Sequence, residues 1–354
     1  MAPMLSESLP TTIFSTCKCI GGIHRKITCA KEGLLFGTVV NVFDKAVNIK
    51  TNEDNLLVLS LGAVRSPLTI NIGPLMDRSS SDFSFNSFLD FVQNGDQVFV
   101  IHKPRSNNNL ATQVSNIINI RVGKCIILVN RPIHFFENDI LKLKVHKLEK
   151  FIDYRQLLFS VLRECAFSQR AGSLLNPDTT TEGLLPNFLS SLEENHGAID
   201  IGSGMFKDKL SICFLDLCGR GPGFTPAGDD FVGGFLAILN WIRISLKIGS
   251  PIVPGTECRK LTTWTSYKLM ECNACGLVDI EVQDLINSIA KGDVLHYIDS
   301  IKLIAKRGHT SGIDFATGAT VGLYLAIDSL HRKNEKAAFE GHPILSKEKS
   351  YSQK

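Results

Sequence analysis

Residues 218–240 read Cys-Gly-Arg-Gly-Pro-Gly-Phe-Thr-Pro-Ala-Gly-Asp-Asp-Phe-Val-Gly-Gly-Phe-Leu-Ala-Ile-Leu-Asn, and they set two adjacent acids between a glycine-rich turn and an apolar run. Gly219, Gly221 and Gly223 open backbone angles that a Cβ resists. Thr225 followed by Pro226 predicts a helix N-cap with proline at the first helical position, and Asp229 and Asp230 then fall in the first turn, where the helix dipole favours negative charge. Unpaired backbone N–H groups at such a start could hold a phosphate or a carboxylate. Adjacent carboxylates would repel that anion unless a divalent metal on Asp229 and Asp230, or amide donors of a substrate, lay between. The same residues also suit an ordinary capped helix with no ligand.

A second stretch shares this grammar. Gly308-His-Thr-Ser-Gly-Ile-Asp-Phe-Ala-Thr-Gly318 aligns Gly312-x-Asp314-Phe315-x-x-Gly318 with Gly228-x-Asp230-Phe231-x-x-Gly234, each with a threonine upstream. Two helix starts of one design are expected to converge on one pocket, with the small residues Gly233, Gly234, Gly318 and Ala319 letting the helices approach closely. The binding set is then Arg220, Gly221, Gly223, Thr225, Gly228, Asp229, Thr310, Ser311 and Gly312. His309 is the strongest acid–base candidate among nine histidines, because Thr310, Ser311 and Asp314 stand near it in sequence; a solvated loop histidine is the alternative. Ser311 has no nucleophile elbow around it.

Residues 219–230 resemble the Gly-Leu-Gly-Pro-Gly-Leu-Thr-Pro-Ser-Gly-Asp-Asp signature of proteins typified by the AllH-type subunit of the oxamate carbamoyltransferase complex. Arg220, Phe224 and Ala227 depart from it. A looser likeness runs through 262–276 and 308–314, so that it covers roughly residues 160–330. The resemblance implies carbamoyl transfer between oxalurate and phosphate, giving oxamate and carbamoyl phosphate, in anaerobic allantoin use and hence purine degradation. It also implies other subunits of a complex as partners. In that setting His309, Asp230 and Asp314 are the catalytic candidates, and the protein would act mainly by positioning two anions and stabilising the developing oxyanion. The alternative is a non-catalytic anion-binding or scaffolding subunit. A metal-dependent phosphotransferase using Asp229 and Asp230 ranks behind both, since no Gly-x-x-x-x-Gly-Lys-Ser/Thr loop occurs. Magnesium is the one cofactor the paired acids call for.

The elements that must position these residues form an α+β chain. A β-rich barrel or sandwich is expected over residues 1–150, from short β-branched runs at Leu34–Phe43, Leu56–Leu61, Leu68–Ile72, Gln97–His102 and Ile117–Val122. A mostly helical domain follows over 151–330, with helices at Asp153–Ser168, Gly183–Glu194, Thr262–Cys275, Ile280–Ala290 and Leu295–Ala305. Leu210–Leu217 reads as a buried strand leading into the glycine loop. Ala171–Glu182 reads as a flexible loop, and the polar residues 331–354 as a disordered tail.

Composition bounds the function classes. The chain has 354 residues, enough for two domains, and with 44% apolar residues it can bury sizeable cores. A net charge of +3 leaves no nucleic-acid or anionic-membrane footprint, so the expected partner is a small anion, phosphate or carboxylate. Ten irregularly spaced cysteines, with Glu7 and no basic stretch at the N-terminus, fit reduced buried thiols and a cytoplasmic protein. Apolar runs near 231–242 and 319–327 are too short or interrupted to span a bilayer. Cys17, Cys19 and His24 lack a second ligand pair, and Cys272-Asn-Ala-Cys275 reads as core packing.

Overall fold

The computed structural model describes residues 11–15, 19–20, 33–62, 66–72, 75–76, 84–85, 87–104, 116–123, 125–129, 134–135, 139–169, 171–193 and 200–339. The chain divides into two compact units, 1–138 and 139–354. Cys17, His24 and residues 340–354 of the expected tail lie outside the described residues.

The first unit is one curled sheet, a half-barrel with β12 and β8 at its two edges, rather than two sheets packed as a sandwich. Its strands are β1 (Thr11–Ser15), β2 (Cys19–Ile20), β3 (Gly33–Val42), β4 (Ala46–Thr51), β5 (Leu56–Ser60), β6 (Thr69–Asn71), β7 (Leu75–Met76), β8 (Ser84–Phe85), β9 (Gln97–Pro104), β10 (Asn116–Val122), β11 (Cys125–Val129) and β12 (His134–Phe135), in the order β12-β2-β6-β5-β4-β3-β9-β10-β11-β1-β7-β8. The five β-branched runs read from sequence lie in β3, β5, β6, β9 and β10. Alternate residues Val47 and Ile49, Leu57 and Leu59, Val98 and Val100, and Ile120 and Val122 turn one face inward over Phe88. β4 and β11 were not among those runs, although Val47 and Ile49 of β4 alternate about Asn48, which is itself buried.

The second unit is helical: α1 (Arg155–Phe167), α2 (Leu184–Glu193), α3 (Gly204–Leu215), α4 (Ala227–Ser245), α5 (Thr256–Leu261), α6 (Trp264–Ala274), α7 (Ile280–Lys291), α8 (Val294–Ala305) and α9 (Ser311–Phe339). Residues 139–150 pack with these helices: the Leu141 N–H donates to Asn287 Oδ1 at 2.8 Å, and its carbonyl accepts from Trp241 Nε1 at 3.0 Å. Two expectations are corrected. Leu210–Leu217 is not a strand, since residues through Leu215 belong to α3, capped by the Ser203 hydroxyl on the Phe206 N–H. Residues 331–339, read as tail, continue α9.

α4 is mostly apolar and is buried along nearly its whole length from Ala227 to Arg243, enclosed by the other helices. Phe231 and Phe235 join Phe188 and Phe214 in an aromatic cluster with ring centroids 5.2–6.2 Å apart. Asn240, deep in this helix, exchanges two hydrogen bonds with the Ile252 backbone, at 2.7 and 2.8 Å, and donates to Ala274 O at 2.9 Å. That fixes the connection beyond α4 without an unsatisfied amide. No helix among the described residues is long and apolar enough to cross a membrane.

Candidate functional site

The two stretches with shared grammar meet as paired helices. A Cβ placed on Gly318 would stand 1.9 Å from the Phe231 carbonyl oxygen, and one on Gly234 would stand 2.0 Å from the Phe315 oxygen. Each glycine therefore admits the other helix's backbone at a distance no side chain permits. One turn on, Gly322 faces Phe235 in the same way, so α4 and α9 run alongside each other from starts that lie together. At those starts Thr225 Oγ1 and Ser311 Oγ share a hydrogen bond of 2.8 Å. Gly228 and Gly312 hold the starts from behind, against the Leu217 and Ile304 carbonyl oxygens at 1.9 Å each from a notional Cβ.

Thr225 does not cap α4: Pro226 occupies the N-cap position without a side-chain cap bond. The start is closed instead by backbone. Gly228 N–H donates to Arg220 O at 3.0 Å, and Asp229 and Asp230 N–H donate to Pro226 O at 2.9 and 3.1 Å. Across the pair, Gly312 N–H donates to Arg307 O at 3.1 Å and Asp314 N–H to Thr310 O at 3.0 Å. The open row of N–H groups expected for an anion is thus largely taken by the protein.

The adjacent acids part company. Asp229 points away from α9; its carboxylate accepts from Gly219 N–H at 2.8 Å, from Ser266 Oγ at 2.7 Å and from the Thr262 hydroxyl. Burial raises its pKa while those donors oppose the rise. It braces the glycine loop to the start of α6, where a Cβ on Gly219 would stand 2.0 Å from Leu261 O.

Asp230 faces the other helix. Its Oδ2, like Oδ2 of the fully buried Asp314, has no hydrogen-bond partner among the described residues. Burial holds the Asp230 carboxyl well above the usual range; the Ser311 and Thr225 hydroxyls oppose this, and the charges of Asp314 and Asp229 add to it. Asp314 is likewise raised by burial, against the Leu174 N–H and Thr310 hydroxyl that favour its ionised form. The two adjacent acids thus do different work: Asp229 is tied to the start of α6, while the charge of Asp314 on the other helix acts on Asp230. No group of three or more metal-ligating side chains occurs among the described residues. Magnesium does not fit this arrangement: it needs near-octahedral oxygen and keeps several waters, whereas Asp229 is saturated by protein donors and both Oδ2 atoms are closed to solvent.

Leu174 was not among the expected site residues. Its N–H donates to Asp314 Oδ1 at 2.8 Å from a stretch read as flexible. Within that stretch Gly172 N–H donates to Asn176 O at 2.8 Å, Ser173 Oγ accepts from Asn176 N–H at 3.0 Å, and Asp178 accepts from Thr180 and Thr181. The signal was present in Ser173, Asn176 and Asp178, residue types that tie up their own backbone.

The remaining expected site residues are dispersed. Thr310 and Gly312 are buried at the start of α9; Gly221 and Gly223 take φ of +98° and +101° in the loop. Arg220 and His309 are exposed. Burial raises Cys272 to about 12, and Cys275 also lies above its ordinary value for the same reason, so neither presents a thiolate near neutrality.

Residues 217–323 match the family model described as oxamate carbamoyltransferase subunit AllH. The match begins just before the glycine loop and ends beyond the α4–α9 contact, so the resemblance to that family is shown over this segment. No curated protein matches the chain. A crystal structure provisionally described as an exosome complex RNA-binding protein overlaps 52% of this chain and 92% of its own, at 14% identity and a TM-score of 0.12, and carries no argument.

Proposed function

We propose that the chain is a carbamoyltransferase-associated subunit that binds a small carboxylate ligand where α4 and α9 start, with the glycine loop 219–226 as rim. The observation that carries this reading is the convergence of two like-built helix starts carrying acids that each keep one oxygen without a partner among the described residues, inside the segment that matches the AllH model. Such acids raise the free energy of the empty state, and a ligand that satisfies them recovers it. For the reaction the resemblance implies, a phosphate oxygen bonds to the carbamoyl carbon, the bond from that carbon to the oxamate nitrogen breaks, and the nitrogen takes a proton. Burial raises both carboxyls above the usual carboxylate range, which suits them to exchange that proton with the leaving nitrogen. Asp230 and Asp314 are the groups for this step.

A second reading, binding without turnover until a partner polypeptide completes the site, is favoured by one observation: His309 and Arg220 stand exposed on the rim, without a described contact to the acids. The test is a thermal-shift titration of the purified chain with oxamate and with carbamoyl phosphate, repeated on Asp230→Asn, followed by assay of carbamoyl phosphate. A ligand at one hundred times its Kd adds about 2.7 kcal/mol. Stabilisation lost in the variant supports the site, and turnover by the chain alone decides between the two readings. An unmoved midpoint with every ligand rejects both.

A further inference from the structure

The geometry points to Asp230 and Asp314 as a paired acceptor site that takes the N–H donors of an uncharged amide or ureido group, and so selects an amide over a carboxylate at that end of the ligand. This rests on the proposed site at the α4 and α9 starts and assigns its chemistry. Three classes of occupant compete. An anion would meet two acids, and the backbone N–H groups that could hold it are largely donated to Arg220, Pro226, Arg307 and Thr310 oxygens. A metal ion would find too few ligands, because no group of three or more metal-ligating side chains occurs among the described residues. A neutral group with two N–H donors meets neither penalty, and it satisfies two acceptors that the protein leaves unmatched: Oδ2 of Asp230, and Oδ2 of Asp314, which is 0% exposed.

The neighbouring contacts fix where those acceptors sit. Asp314 cannot swing away, because Oδ1 is held by the Leu174 N–H at 2.8 Å. Asp230 is confined by the Thr225 and Ser311 hydroxyls, which bond each other across the two helix starts. Those hydroxyls are also the elements that must part for a ligand to reach the acids. Asp229, which adjacency would include, is excluded by its bonds to Gly219, Ser266 and Thr262.

Oxamate and oxalate test this directly, since they share one carboxylate and differ in an amide against a second carboxylate. Calorimetric titration of the full chain at neutral pH is expected to give at least about tenfold tighter binding of oxamate, because a site built for a donor rejects the analogue lacking it. In Asp230→Asn, where an acceptor oxygen becomes an N–H donor, that ratio is expected to fall toward unity. Equal binding of the two by the native chain overturns the inference while leaving a ligand site in place. An undiminished ratio in a folded Asp230→Asn chain overturns the role of Asp230. Failure of the native chain to bind either compound removes the proposed site itself, and the inference with it.

Discussion

Gly318→Ala is expected to be strongly destabilising although alanine is the better helix former. The new methyl carbon would lie 1.9 Å from the Phe231 carbonyl oxygen and 2.8 Å from its carbon, both backbone atoms of α4. Ordinary contact needs roughly 1.5 Å more separation. No side-chain rotation supplies this, so α9 must move off α4 along a contact lined by Phe231, Phe235 and Phe315. Overpacking a well-filled core costs about 1–3 kcal/mol, and the upper end applies when backbone must shift. The gain in helix propensity returns about 1 kcal/mol. A net loss of roughly 2 kcal/mol is expected, which lowers Tm by about 4–8 °C for a unit of this size. Gly204→Ala is the control: that glycine begins α3 with nothing within 4 Å of its notional Cβ, and its substitution is expected to leave Tm unchanged or raise it. Differential scanning calorimetry of both variants is the assay. If Gly318→Ala melts at or above the native temperature, the close crossing of α4 and α9 is refuted.

Stability is expected to fall as pH rises above the ordinary aspartate range. Asp230 and Asp314 have raised folded-state values, so the folded chain keeps protons that the unfolded chain has lost, and thermal melts from pH 5 to 8 should show the decline. Asp314→Asn should flatten that slope, and a slope unchanged in the variant would contradict the assignment. Asp229→Ala strands the Gly219 N–H and the Ser266 and Thr262 hydroxyls; a loss on the order of 3 kcal/mol is expected in urea unfolding, and a loss under 1 kcal/mol would deny Asp229 its bracing role. His309→Ala is expected to leave stability within about 0.5 kcal/mol of native, as for other exposed loop residues, and a larger drop in the same experiment would show a contact beyond its exposed setting.

How far the sequence disclosed this arrangement depended on the kind of signal. Repetition of Gly-x-Asp-Phe-x-x-Gly was legible, and the close approach it suggested is the Gly234–Phe315 and Gly318–Phe231 contact. Adjacency misled for Asp229 and Asp230: successive helical residues point about 100° apart, so one faces α6 and the other α9. α3 was hidden because Met205 and Ile212 lie on its exposed side, 83% and 67% exposed, which erases the periodicity that separates a helix from a buried strand. Leu174 could not be found as a site residue, since it contributes only its backbone N–H. Thr225 looked like a cap because local preference favours capping; its hydroxyl instead reaches Ser311, 86 residues further along the chain.

The most direct test of the account is hydrogen–deuterium exchange of the full chain with and without saturating oxamate. Binding at the joined helix starts predicts slowed exchange concentrated in residues 217–231 and 308–318, with α1 and α7 unchanged. Slowed exchange confined to other segments, or no change where calorimetry detects binding, would contradict the placement of the ligand between Asp230 and Asp314.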